Sequence, residues 1–142
     1  MSGSIRADYY SQTQKMPDIY SDFLDDFSSH PITGDIARLR NEQSVKQSLR
    51  NLVLTNYGER FFQPNIGCNV MRSLFEIIDL FTIHEIQYHV KQTIENSEPR
   101  VNLLQVIVTP NDVNNQITIS IIFSLINSTA IQSLDLILKR VR

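Results

Sequence analysis

The chain has 142 residues, a length that fits one compact domain, and its 42% hydrophobic content can fill a core without disulfides or metal. Lysine and arginine number 13 against 15 acidic residues, and the resulting formal charge of -2 gives no general attraction to a phosphate backbone, which argues against nucleic acid as the partner. Cys68 is the single cysteine, so an intramolecular disulfide framework is excluded and synthesis in a reducing compartment is expected.

Met1 to Asp18 is mostly Ser, Gln, Thr, Asp and Tyr and lacks the basic-then-apolar order of a secretory signal. No run of about 20 apolar residues occurs, so no membrane partner is expected and the chain reads as soluble when made. Met1 to Gln14 has no hydrophobic period, and residues 1–19 read as a tail that is flexible or ordered by a partner, ahead of one domain over 20–142. Tyr20, Phe23, Leu24 and Phe27 alternate with acidic Asp22, Asp25 and Asp26, which fits a short helical turn or an extended arm before the turns at His30-Pro31 and Thr33-Gly34-Asp35.

Val45, Leu49, Leu52 and Val53 recur at helical intervals, with Asn41 placed as N-cap and Asn56-Tyr57-Gly58 as the stop. Arg60-Phe61-Phe62 predicts a short extended piece, Gln63 to Cys68 a loop set by Pro64 and Gly67, and Val70 to Ile78 a short helix. Thr82-Ile83-His84-Glu85 has the spacing of a capping box, and Ile83, Ile86, Val90 and Ile94 carry a helix to about Ser97. Pro99 ends it by removing an amide hydrogen and pushing Glu98 out of helical geometry.

Beyond Pro99 the period changes. Val101 to Thr109 is rich in Val, Leu and Ile; Pro110-Asn111-Asp112 opens a turn that Asn114-Asn115 closes. In Gln116 to Ser124, Ile117, Ile119, Ile121 and Phe123 alternate with Thr118 and Ser120. After a turn at Asn127-Ser128-Thr129, Ser133 to Val141 alternates Leu134, Leu136 and Leu138 with Asp135 and Lys139. The expected class is α+β, with helices packed on one face of a small C-terminal antiparallel meander sheet.

Chemistry-bearing patterns are sparse. His30, His84 and His89 with one cysteine lack metal-ligand spacing, and Cys68 has no histidine nearby in sequence to activate it, so a packed, inert thiol is expected. Glu76, Asp79, Glu85 and Glu98 could supply the two carboxylates of a glycosidase, but acidic residues at helix starts commonly serve capping. No Gly-rich phosphate loop occurs, and no catalytic residue, metal or cofactor is assigned. The remaining feature is Glu98-Pro99-Arg100, where an extended backbone would project both charges to one side; the plainer alternative is a local helix-end arrangement.

From about Tyr20 to Arg142 the chain resembles the baseplate wedge and sheath-initiator family of contractile phage tails, which has a counterpart in the type VI secretion baseplate. The resemblance rests on Leu52-Val53-Leu54-Thr55-Asn56-Tyr57-Gly58-Glu59-Arg60, the loop Phe61 to Cys68, Ser73-Leu74-Phe75-Glu76 and then Glu98-Pro99-Arg100 before the strands. It implies a structural, non-enzymatic subunit of the virion tail baseplate, assembled in the host cytoplasm and present in multiple copies in a ring. It implies that Glu98, Pro99 and Arg100 dock on other wedge proteins and that the last strand, with Leu134, Leu136 and Leu138, meets the tail sheath protein. A lysozyme-like label attached to such proteins leaves a peptidoglycan-cleaving enzyme as the rival reading, and a β-edge adaptor module as a third.

Overall fold

The computed structural model describes residues 19–111 and 115–139. The expected tail over residues 1–19 therefore lies almost wholly outside the described residues, as do Asp112, Asn114 and the strand end at Val141. The described part opens on a hairpin of β1 (Ser21–Phe23) and β2 (Arg38–Arg40), paired from Ser21↔Arg40 to Phe23↔Arg38. The first apolar stretch is thus an extended arm and not a helical turn. Gly34, at φ 69°, allows the reversal, where His30 N donates to Asp35 O at 2.7 Å.

Helix α1 (Glu42–Leu54) follows at once and buries Val45, Leu49, Leu52 and Val53, as its spacing predicts. Asn41 precedes it but does not cap it with its side chain: its Oδ1 accepts from Ile19 N at 2.9 Å and Tyr20 N at 3.4 Å. Sequence pattern could not show that competition, because the hairpin brings the arm's amides to the same oxygen. Arg60-Phe61-Phe62 is also not extended; these residues lie in turns, with both phenylalanines almost fully exposed.

The loop closes against the end of α1 through Cys68 N, which donates to Thr55 O at 2.7 Å. Gly67 sits in that closure at φ 145°, where an added Cβ would lie 2.7 Å from Thr55 O and 2.8 Å from Asn56 O. The short helix expected over Val70 to Ile78 is one turn, α2 (Val70–Ser73).

Helix α3 (Leu80–Ser97) starts before the Thr82-x-x-Glu85 box. Asp79 is the cap, its Oδ1 accepting from Thr82 N at 2.8 Å, while the buried Thr82 hydroxyl donates back to Ile77 O at 2.8 Å. The stronger acceptor three residues before Thr82 thus displaces the threonine.

Three strands then form an antiparallel meander in the order β3-β4-β5: β3 (Val101–Asn111), β4 (Gln116–Leu125) and β5 (Ile131–Lys139). Pro110 and Asn111 are the last paired residues of β3, opposite Ile117 and Gln116, so the turn expected to open at Pro110 does not begin there. In β4, Ile117, Ile119, Ile121, Phe123 and Leu125 are buried, alternating with half-buried neighbours on the other face. Together with Ile86, Val90 and Ile94 of α3 and the apolar stripe of α1 they form one core. This is the expected α+β class.

A register shift between Leu103 and Gln105 marks a β-bulge at Leu104. Val101 and Leu103 lean on the core before it, and Val106 and Val108 after it. Without the extra residue one of these pairs would face outward, because side chains alternate with period two.

Gly67→Ala should keep the fold but lower stability by about 2–4 kcal/mol, from backbone collision plus an unfavourable φ. Thermal unfolding followed by circular dichroism measures this; an unchanged melting temperature would show that the closure yields easily.

Candidate functional site

Three predicted site residues meet where α3 hands over to β3. Glu98 ends the helix, its N–H donating to Ile94 O at 2.9 Å, and Pro99 follows as the exposed apex of a turn closed by Val101 N to Glu98 O at 3.4 Å. The segment is therefore a turn, and not the extended piece that would project both charges outward. Arg100 folds back on Glu98 in a bidentate pair, Nε to Oε1 at 2.6 Å and Nη2 to Oε2 at 2.7 Å.

Residues distant in sequence complete the cluster. Ser48 Oγ on α1 donates to Glu98 Oε2 at 2.7 Å. The Arg100 guanidinium lies 5.4 Å from the centre of the Tyr20 ring, within cation–π range, and Tyr20 Oη accepts from Asn127 Nδ2 at 3.0 Å. Arg100 O accepts from Ile126 N at 3.2 Å. Neither Ser48, Tyr20 nor Asn127 carries a sequence signal for this role; folding alone brings them to Glu98.

The glutamate is 5% exposed and the arginine side chain 34%. Burial pushes the Glu98 carboxyl up, but hydrogen bonds from Arg100 and Ser48 and the arginine charge outweigh it and hold the group below the usual carboxylate range. The same pair raises Arg100 further above its ordinary value. A general acid needs the opposite shift, so Glu98 is not suited to protonating a glycosidic oxygen.

The other candidates are placed apart. Asp79 is a helix cap, lowered first by the Thr82 amide. Cys68 is fully buried, and burial raises its thiol above the ordinary value, which makes it a poor nucleophile. His89 Nε2 lies 3.6 Å from Glu85 Oε1, and no cluster of metal ligands occurs among the described residues. No helix among them is long and apolar enough to cross a membrane.

At the far side of the sheet, Leu136 and Leu138 are 5% and 8% exposed and belong to the chain's own core, with Leu134 partly buried against it. Their side chains are committed internally. What β5 leaves open is its outer backbone edge, since no strand among the described residues pairs beyond it.

The sequence model of the family described as Baseplate wedge protein gp25 matches residues 39–130. The chain belongs to this family. The baseplate wedge protein gp25 of Enterobacteria phage T4 is 31% identical over 94 residues, covering 66% of this chain and 71% of that protein. Among solved structures, a putative tail lysozyme from Geobacter sulfurreducens superposes with a TM-score of 0.65 at 25% identity, covering 71% of this chain and 92% of its own. A chain of the anti-feeding prophage baseplate shares the fold, with a TM-score of 0.59 at 22% identity and 83% of each chain covered. The protein is a structural, baseplate-wedge-type subunit of contractile tail systems. The family match begins inside β2 and stops one residue before β5.

Arg100→Ala should destabilise the isolated domain by about 2–3 kcal/mol, less than for a fully buried pair because water reaches part of the guanidinium. Arg100→Lys, which keeps the charge but not the fork, should fall between the two in a denaturant titration. The lowered Glu98 group adds stability that is complete above the ordinary carboxylate range and is lost as pH falls through its depressed folded value. Glu98→Gln should flatten that acid limb of the stability curve; an unchanged limb would assign acid unfolding to other carboxylates.

Proposed function

We propose that this chain is the baseplate subunit on which the tail sheath begins to polymerise, held on neighbouring wedge proteins through the Glu98-Pro99-Arg100 turn. The observation that carries the sheath half is the open edge of β5. A sheet edge exposes unpaired amides and carbonyls that accept a further strand. The two edges of the meander are unequal. The β3 edge is interrupted by the Leu104 bulge and by Pro110, which has no amide hydrogen to offer. The β5 edge pairs in unbroken register with β4 from Ile131 to Lys139 and contains neither proline nor bulge.

A groove of about 280 Å³ runs beside β5, between Arg50 and Leu54 of α1 and the stretch Leu134 to Leu138. It is room for the inward side chains of an added strand. Each main-chain hydrogen bond contributes only about 0.5–1.5 kcal/mol net, so one strand binds modestly. Copies arranged in a ring would gain from effective concentration.

On the wedge side, Pro99 is exposed and the outer part of Arg100 remains accessible, so the turn offers a rigid apex with a positive flank. The buried carboxylate fixes that flank in place. Docking through it adds a contact without requiring the Glu98 pair to open.

Removing β5 would empty the core of Leu136 and Leu138, so single prolines test the edge more cleanly. Consecutive residues of an antiparallel strand aim their amides alternately at the two sides. Of Gln132→Pro and Ser133→Pro, one should therefore lose stability and the other should fold normally. The variant that folds should enter baseplates and fail to start sheath; sheath of normal frequency on those particles would overturn the strand-addition reading. The enzymatic rival is tested by cell-wall turbidity with the intact protein, where clearing abolished by Glu76→Gln would reinstate it.

A further inference from the structure

Between the loop closure and the first turn of α3 the chain displays an apolar surface that neither the core nor the proposed contacts use. Phe75, Ile77, Leu80 and Phe81 are 65%, 84%, 77% and 75% exposed within seven consecutive positions. These side chains leave roughly 500 Å² in water, near the upper end of what a monomer's largest apolar patch shows. Their backbone is held firmly: Asp79 caps α3, Thr82 ties back to Ile77 O at 2.8 Å, and Leu74 and Ile78 face the core. The patch is therefore presented on a fixed platform and is not a frayed end.

Its charge says what can cover it. Glu76 and Asp79 are interleaved with the apolar residues and Glu85 follows one turn on, against Arg72 as the one lysine or arginine from Phe61 to Val90, so the surface is acidic on balance. A second copy docking patch to patch would set these carboxylates against their equivalents. An anionic membrane surface would meet the same repulsion.

We infer that Phe75, Ile77, Leu80 and Phe81 form a docking surface for a different baseplate subunit, one that presents an apolar segment flanked by lysine or arginine. The site lies at the opposite end of α3 from Glu98 and Arg100, about 27 Å away along an 18-residue helix. The helix would then act as a spacer between two contacts, and the subunit as a bridge. This inference rests on the chain being a baseplate subunit and not on the fate of β5.

The test uses full-length chain in assembled, sheath-free baseplates. Phe81→Cys places a reactive thiol in the patch, while native Cys68 is fully buried and stays silent. Maleimide should label the free variant and react about ten-fold more slowly in baseplates, as expected for a covered hot-spot position. A photo-reactive residue at position 81 should cross-link to a different baseplate subunit beside a basic residue, and Glu76→Lys should weaken incorporation several-fold in a salt-sensitive way. Equal labelling in both states, cross-links to a second copy, or incorporation unaffected by Glu76→Lys would each overturn the inference. Baseplates that carry the chain with position 81 protected but start no sheath would count against strand addition alone.

Discussion

A carboxylate taken out of water must find partners, and Glu98 finds them on two sides. Arg100 grips it from the turn before β3 and Ser48 reaches it from α1, while the glutamate's own amide closes α3. Because breaking such a pair costs more than forming it gains, the site acts less as glue than as a register pin. The first helix, the last helix and the sheet can meet in one arrangement that satisfies both oxygens. Tyr20, stacked on the guanidinium and bonded to Asn127, extends the constraint to the arm and to the turn before β5.

The same pin explains how one small domain can offer several surfaces. The turn at Pro99, the exposed apolar residues around the start of α3 and the outer backbone edge of β5 all lie outside the core. The core is built from β4 with the inner stripes of α1 and α3 and Leu136 and Leu138 of β5, so substitutions confined to the outer features leave it intact.

Much of this is legible in the residues. Alternating Ile117, Ile119, Ile121 and Phe123 announce a half-buried strand, the four apolar positions of α1 a helix, and Pro99 the end of α3; each depends on local period alone. Where a tertiary partner decides the outcome, pattern misleads. Asn41 looks like a cap but serves the arm, Thr82 yields the cap to Asp79, and Phe61-Phe62 resembles a strand yet pairs with no strand among the described residues. Glu98 and Arg100 were visible as a charged couple across a proline. That they grip each other, and that Ser48 joins them, needs the fold to bring residues fifty positions apart into contact.

The bulge at Leu104 has a consequence for how this strand can change over time. Val101 and Leu103 occupy odd positions and Val106 and Val108 even ones, so the strand is two segments of opposite parity joined at one unpaired residue. A lineage that lost that residue would turn half of the strand inside out unless its hydrophobic and polar positions exchanged places in the same stretch. Length here is therefore inherited together with hydrophobic phase, and drift by a single codon is closed to it while substitution at either side remains open.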